Sequence, residues 1–306
     1  MESAEQDIIV MTGATSGLGL HALRELAKGG SKHIIIGARR NQHKIFLNTV
    51  MLQLDLASLN SVKKFANQII QSLDNRKISA LVLNAGVQNS TTDAKSDDGY
   101  ELTFAVNHLA HYLLVRILLP YICKNGRIVI TTSDTHDPSI APMAPKSLTP
   151  FVWAYNKESG FGTGIRAYAA SKLCNIMTAL YLAKREIVTE QNIEIIAFNP
   201  GLTGGTGLGR ESSGLMKIIV TILMHTVFRI IGLFQPEFII STPDVSGKAL
   251  ADVTLGEITM PLGRQYISLV NGKATFPKPS ALALDKNAQK RLWDETEEII
   301  EITTKI

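Results

Sequence analysis

The pentapeptide Tyr168-Ala169-Ala170-Ser171-Lys172 sets a phenol and an ammonium four residues apart. On a helix that spacing puts both groups on one face. A phenol with its ordinary pKa of about 10 is a poor acid–base catalyst at neutral pH, but a neighbouring positive charge favours phenolate. Each pH unit of lowering corresponds to about 1.4 kcal/mol, and about two or three such units lie within reach of a lysine in a dry cleft. Proton transfer to or from an oxygen is therefore the chemistry open to this pair. Alone, the spacing also describes many surface helices, and its weight comes from the residues that accompany it. Ser133 closes the strand-like run Ile130-Thr131-Thr132-Ser133. It falls at the carboxyl end, where open α/β sheets bind ligands, and its hydroxyl could hold a reacting carbonyl oxygen. Asn107, in Val106-Asn107-His108, falls in the preceding helical stretch and could anchor a water that links the lysine to solvent.

A second group of residues points to a dinucleotide. Directly after the first apolar run comes Thr12-Gly13-Ala14-Thr15-Ser16-Gly17-Leu18-Gly19, which then opens a helical pattern. Glycines let the backbone turn tightly and approach a pyrophosphate, while the helix N-terminus supplies free N–H donors and positive potential. Gly13, Thr15, Ser16, Gly17, Leu18 and Gly19 are the expected contacts; their spacing is GxxxGxG rather than GxGxxG. About 20 residues further on, an NAD enzyme presents an acid to the ribose 2′-hydroxyl. Here the sequence reads Gly37-Ala38-Arg39-Arg40. Arg39 and Arg40 can pair with a 2′-phosphate through planar, charge-assisted hydrogen bonds, so NADP(H) is expected and NAD is disfavoured. Asp55 and Leu56 follow the third strand, where Asp55 can reach an adenine edge. Asn84-Ala85-Gly86 ends the fourth, where small residues let the backbone pass the cofactor.

These residues must be positioned by an alternating fold. Short apolar runs near 7–12, 33–38, 49–54, 79–84, 126–133, 192–198 and 264–269 read as strands. Helical patterns near 17–28, 58–73, 98–122, 165–188, 212–234, 243–254 and 284–300 lie between them. That rhythm predicts an α/β protein: a single doubly wound Rossmann-type domain over 1–306, with a parallel sheet of about seven strands and helices on both faces. Only ten residues separate Ala38 from Thr49. This is close to the minimum of about 10–12 for a parallel crossover, so the helix there is expected to be stunted or absent. The Pro- and Gly-containing stretch from Asp134 to Arg166 reads as a long loop over the active-site edge.

With 306 residues, 45% of them apolar and 19% charged, the chain can bury a sizeable core. The formal net charge is +4 and no Lys/Arg block is longer than a pair, so nucleic acid is not an expected partner. Two cysteines, Cys123 and Cys174, lie outside any ligand-spaced cluster, which fits a reducing compartment. A strand-like run begins almost at once, without the basic, apolar and small-residue pattern of a signal peptide, so a cytoplasmic address is expected. His108, His111 and His136 have no carboxylate at ligand spacing; they read as surface or pocket-lining residues, and no metal is expected. Asp134 and Asp137 read as residues of the substrate mouth or of a solvated loop.

The GxxxGxG turn, Asn84-Ala85-Gly86, Asn107, Ser133, Tyr168 with Lys172, and Asn199-Pro200-Gly201 resemble the ordered motif set of the short-chain dehydrogenase/reductase family, over nearly the whole chain. That resemblance implies a catalytic tetrad of Asn107, Ser133, Tyr168 and Lys172, with Tyr168 exchanging the substrate proton while nicotinamide exchanges hydride. It also implies cofactor contacts from Tyr168, Lys172, Pro200, Gly201 and Thr203. Asn107-His108-Leu109, Ser171-Lys172-Leu173-Cys174-Asn175 and the segment after Pro200 are more specifically similar to the subgroup of retinol-dehydrogenase-like enzymes and light-dependent protochlorophyllide oxidoreductases. Gly86 differs from the Asn-Ala-Ala of the pigment enzymes, Ala169-Ala170 replace a charged pair, and the short 39–48 segment departs from both patterns.

Residues 215–234 are mostly apolar, with Lys217, Thr221, His225 and Arg229 recurring every four positions as one polar stripe. The charged members argue against a membrane span and leave a substrate lid, a membrane-surface helix with peripheral contact, or a helix buried in a homo-oligomer. A substrate-covering segment near 203–242 and a small hydrophobic substrate are expected. The reading that follows is NADPH-dependent reduction of a carbonyl, or oxidation of the alcohol, in a bulky apolar molecule. The alternatives are a pigment-type C=C reductase and a non-catalytic NADP-binding protein.

Overall fold

Ile8, Ile9, Val10 and Met11 are all buried because β1 (Ile8–Thr12) lies inside a sheet covered on both faces. The computed structural model describes residues 7–28, 30–40, 46–160, 162–204 and 239–300. After β1 and α1 (Gly17–Leu26) come β2 (His33–Ala38), β3 (Thr49–Gln53), α2 (Leu59–Ser72) and β4 (Ile78–Leu83). A helical stretch leads through α3 (Ala110–Leu118) to β5 (Ile122–Thr131), then α4 (Thr163–Leu182) and β6 (Glu194–Asn199). The chain closes with α5 (Pro243–Leu255), β7 (Tyr266–Val270), β8 (Lys273–Thr275) and α6 (Lys286–Ile299).

The sheet order is β3-β2-β1-β4-β5-β6-β7-β8, parallel from β3 through β7. The order reverses between β1 and β4, the switch point at which doubly wound sheets bind ligands beyond the strands' carboxyl ends. One face buries Leu18, Ala22, Leu23 and Leu26 of α1 with Leu250 and Val253 of α5 against Ile9, Met11, Ile34 and Val129. The other buries Phe65, Leu113, Leu114, Ile176 and Leu292 against Val10, Ile35, Leu81 and Ile130.

Three differences from the sequence reading have local causes. The eighth strand is antiparallel to β7 and joined to it by Asn271 and Gly272, with φ of 49° and 71°. These are the left-handed conformations of a tight hairpin turn. The expected helix over 98–122 begins at Leu102 and is not uniform: an α turn Leu102–Phe104 passes into a π segment Ala105–Leu109 before α3. Its apolar span Leu102–Tyr121 is long enough to cross a membrane, yet 89% of it is buried within the fold, so its apolarity serves the core. The last helical pattern is divided at Asp285, which accepts from Asn287 N and Ala288 N and so starts α6.

The candidate helix 212–234 and the peripheral contact through 215–234 lie outside the described residues, as does most of the segment 203–242. Its two ends meet: Thr203 bridges Ser241, Gly204 N donates to Ser241 O at 3.0 Å, and Ser241 N donates to Leu202 O at 2.7 Å. The connection from β2 to β3 is described only at its two ends.

Candidate active site

The turn after β1 is shaped by two left-handed glycines, Gly13 at φ +69° and Gly17 at φ +55°. A Cβ on Gly13 would stand 2.6 Å from the Cα of Ala85, and one on Gly19 would stand 2.0 Å from the carbonyl oxygen of Gly13. The turns after β1 and β4 are thus in contact, and a methyl group at either glycine would drive them apart. Asn84 seals the contact: its Nδ2 donates to Gly13 O at 3.1 Å, and its Oδ1 accepts from Thr131 Oγ1 at 3.3 Å. Ser16, the residue before α1, makes no side-chain cap bond, so the first N–H groups of α1 are not taken by their own cap. A cradle emptied of side chains at a helix start is the shape a pyrophosphate requires, and Gly13, Gly17, Gly19, Thr15, Ser16 and Leu18 fit a dinucleotide there.

The expected contacts around the rest of a dinucleotide are distributed along the strand ends. Arg39 and Arg40 are exposed just past β2. Asp55 lies past β3, where one carboxylate oxygen accepts from Ala57 N at 2.9 Å, and Leu56 beside it is buried. Gly201, at φ +67°, leaves no room for a Cβ, which would meet Leu269 O at 2.4 Å. Pro200 O accepts from the Thr203 hydroxyl at 3.1 Å, and Thr203 Oγ1 also lies 2.9 Å from Ser246 Oγ. These bonds fix the exit from β6.

Ser133, Tyr168 and Lys172 converge at the carboxyl end of β5. Ser133 is in extended backbone at the strand end, and its Oγ accepts from Thr135 N at 3.3 Å. Tyr168 and Lys172 lie one turn apart on α4, both buried, with the ammonium 5.5 Å from the centre of the phenol ring. Thr132 Oγ1 donates to Lys172 O at 2.8 Å and Asn175 Nδ2 to Thr131 O at 3.1 Å, so α4 is latched to the end of β5. Lys172 Nζ donates to the same Thr131 carbonyl at 3.1 Å.

Burial dominates both ionisations. It pushes the Tyr168 phenol up to about 12, with the nearby Ser133 side chain working the other way, and it draws Lys172 down to about 8. Sequence reasoning expected the lysine to lower the phenol. In the structure the loss of water around Tyr168 sets the direction, and the group that favours phenolate is Ser133 rather than the lysine.

Asn107 is fully buried in the π segment, and its side chain is already committed. Oδ1 accepts from Val87 N at 2.8 Å, and Nδ2 donates to Val87 O at 2.9 Å and to Ser171 Oγ at 3.0 Å. The amide clamps the chain leaving β4 onto α4, which leaves the main-chain carbonyl as the group of Asn107 that could hold a water. A Cβ on Gly86 would lie 3.5 Å from both Asn107 Oδ1 and Lys172 Nζ, an ordinary contact. Gly86 therefore stands beside the tetrad, and its position has room for alanine.

The histidines depart from the sequence reading. His108, His111 and His136 are buried rather than on the surface, each within hydrogen-bond distance of a polar partner: Thr296 Oγ1 for His108, Thr12 and Asn107 for His111, Ser133 O for His136. Burial lowers all three, His108 and His111 to about 3. His108 and His111 lie in the mostly apolar stretch Leu102–Leu118, which was the available signal of burial, whereas His136 is flanked by Thr135 and Asp137 and carried no such signal. Among the described residues no three His, Cys, Asp or Glu side chains form a group that could hold a metal. A further relay past β5 was not foreseen: Tyr266 OH donates to Asp134 Oδ1 at 3.1 Å and accepts from Asn199 Nδ2 at 3.3 Å. It ties the Asp134 loop to β6 and β7.

Residues 7–144 match the short chain dehydrogenase family. A protochlorophyllide reductase of Cucumis sativus is 30% identical over 325 residues, covering 95% of this chain and 77% of the relative. The chain belongs to the short-chain dehydrogenase/reductase family. Within this oxidoreductase family it lies near the protochlorophyllide-reductase-like subgroup. A short-chain dehydrogenase/reductase of Pestalotiopsis microspora is 32% identical over 217 residues, covering 66% of this chain and 72% of that one. An uncharacterised protein of Mycobacterium paratuberculosis shares the fold, with a TM-score of 0.71 at 22% identity over 99% of this chain and 97% of its own. The family match ends at residue 144, short of Tyr168 and Lys172. The relation of those two residues to the strand ends is carried by the geometry above.

Proposed function

We propose that this short-chain dehydrogenase/reductase uses NADPH to reduce a carbonyl, or NADP to oxidise the corresponding alcohol, in a bulky apolar molecule. The observation that carries the reading is the convergence of the Ser133 side chain at the end of β5 on the buried Tyr168 phenol, with the Lys172 ammonium one helical turn away and 5.5 Å from the ring centre. The nicotinamide nucleotide supplies or accepts a hydride at carbon when bound. Gly13, Gly17 and Gly19 would admit its pyrophosphate, Arg39 and Arg40 its 2′-phosphate, and Asp55, Leu56 and the Asn84-Ala85-Gly86 turn its adenosine and passing backbone. Ser133 would hold the substrate oxygen and Tyr168 would give it a proton in reduction or take one in oxidation. A phenol held near 12 is protonated at neutral pH, the state needed for the reductive direction. Lys172 would favour phenolate as the proton leaves, and the Asn107 carbonyl would hold the water that resupplies it.

A second reading, a C=C reductase acting on a pigment, is favoured by the relatives named protochlorophyllide reductase. The room for a methyl group at Gly86 removes one sequence argument against it. The test is nucleotide binding and turnover of wild type and Tyr168→Phe, with NADPH and NADH, against apolar aldehydes and ketones in darkness and in light. Dark, NADPH-selective ketone reduction lost in Tyr168→Phe supports the first reading. Light-dependent reduction of a tetrapyrrole supports the second. Tight NADPH binding with no turnover in either condition supports a binding protein, and no binding of either nucleotide overturns all three.

A further inference from the structure

Thr12 is completely buried at the end of β1, and its hydroxyl oxygen accepts two main-chain N–H bonds, from Asn84 at 3.1 Å and Ala85 at 3.1 Å. Both lone pairs are then used, so the hydroxyl proton must go to a third partner. His111 Nε2 lies 3.0 Å away. Nε2 is therefore the acceptor, and the ring proton sits on Nδ1, which lies 3.2 Å from the carbonyl oxygen of Asn107. Every bond in this chain runs one way: Ala85 N–H to Thr12, Thr12 O–H to His111, His111 N–H to Asn107. Such chains polarise and strengthen one another inside a protein. The far end is the π segment, where main-chain bonds run i→i−5, as from Ala110 N to Ala105 O, in place of the regular i→i−4 ladder. The ring is kept neutral by burial and by the positive charge of nearby Lys172.

We propose that His111 is a positioning residue: as a neutral imidazole protonated on Nδ1, it fixes the π segment carrying the Asn107 carbonyl to the Thr12–Ala85 wall of the nucleotide cleft. One ring then couples the place where the dinucleotide binds to the place where the proton is resupplied. The inference rests on the oxidoreductase reading for its meaning, but its geometry is tested without turnover.

Long-range proton–nitrogen NMR on the full chain with labelled histidine reads the tautomer directly. The expected result is a His111 ring with Nδ1 protonated and Nε2 bare, unchanged from pH 8 to about pH 5. A ring protonated on Nε2, or one that titrates near its ordinary value, overturns the proposal even if NADPH binds. Fluorescence titration with NADPH then reads the coupling in Thr12→Val, His111→Leu and the double variant, with Thr12→Ser as the conservative control. Each single change is expected to weaken NADPH about tenfold, with the double variant within about twofold of the worse single one, because both cut the same chain. Thr12→Ser is expected to keep both the tautomer and the affinity. Additive losses, or loss of the tautomer in Thr12→Ser, overturn it. If wild type keeps the tautomer and binds no NADPH, the oxidoreductase reading fails and the hydrogen-bond assignment stands.

Discussion

Lys172 Nζ donates to the main-chain carbonyl of Thr131 at 3.1 Å, two residues before Ser133. The bond ties the buried ammonium to the same strand end that presents the serine to Tyr168. A single carbonyl does not replace the water an ammonium loses, and burial still draws the group down to about 8.

A pH dependence of stability follows from that lowering. Between the folded value of about 8 and the ordinary lysine value of 10.5, the unfolded chain holds a proton that the folded chain lacks, so stability rises with pH across that window. At about 1.4 kcal/mol per pH unit, the cost of the buried charge at neutral pH is on the order of a few kcal/mol. Lys172→Met should therefore be at least as stable as wild type at pH 7. The gap should close as pH rises from 8 toward 10, before Tyr168 begins to titrate. Urea denaturation at several pH values measures it, and a variant less stable than wild type at pH 7 would contradict the argument.

The glycines of the cofactor turn predict an ordered pair of outcomes. Gly19→Ala places a methyl group 2.0 Å from the Gly13 carbonyl oxygen, a backbone atom that cannot step aside cheaply. NADPH affinity should fall by tenfold or more, on the order of 1.4 kcal/mol. Gly86→Ala meets Asn107 Oδ1 and Lys172 Nζ only at 3.5 Å, and binding should stay within about threefold of wild type. Titrating both variants with NADPH by fluorescence decides it; equal losses would mean the turn does not hold the nucleotide as proposed.

The strands and the strand-end site were legible because both are written in local pattern. Ile8–Met11, Ile34–Ile36 and Leu81–Leu83 are buried on both faces and so read as continuous apolar runs. The β8 hairpin was not read: Asn271-Gly272 is a strong turn signal, but a strand of only three residues offers no alternation to notice. The π segment was not legible: Leu102 through Leu118 carries one apolar pattern, and the Asn107 clamp to Val87 and Ser171 that accompanies the π turn is a contact between distant parts of the chain. His111 was missed for the same reason. Its partner Thr12 is 99 residues away, so nothing near it in sequence marks the ring as an internal hydrogen-bonding group.

Nucleotide preference is expected to reside in Arg39 and Arg40. Both are exposed past β2 and no acid stands there to meet a ribose hydroxyl. Charge-assisted bonds to a phosphate contribute about 1.5–3 kcal/mol each. Arg39→Asp should lower the ratio of NADPH to NADH affinity by roughly tenfold to a hundredfold with little change in thermal stability. Competition binding with the two nucleotides measures the ratio, and an unchanged ratio would move the 2′-phosphate contact elsewhere.

The helix that carries Asn107 depends on a buried acid at its start. Glu101 is fully buried, and its carboxylate accepts from Thr103 N at 3.0 Å and Phe104 N at 2.6 Å, satisfying two donors that the first helical turn cannot satisfy itself. Burial raises its pKa above the ordinary 4.5 despite those bonds. The folded chain thus holds a proton there that the unfolded chain releases, and this contribution to stability is full at low pH and fades as pH rises through the raised value. Glu101→Ala leaves two buried N–H groups without acceptors and should cost about 1–3 kcal/mol at pH 7. Glu101→Gln keeps one acceptor and no charge, so it should recover part of the loss. Because the π segment follows this turn directly, the alanine variant should also weaken NADPH more than an equally destabilising change in α6. Chemical denaturation and NADPH titration on the same samples separate the two effects, and a loss of stability with unchanged affinity would show that the start of the helix and the Asn107 clamp are independent.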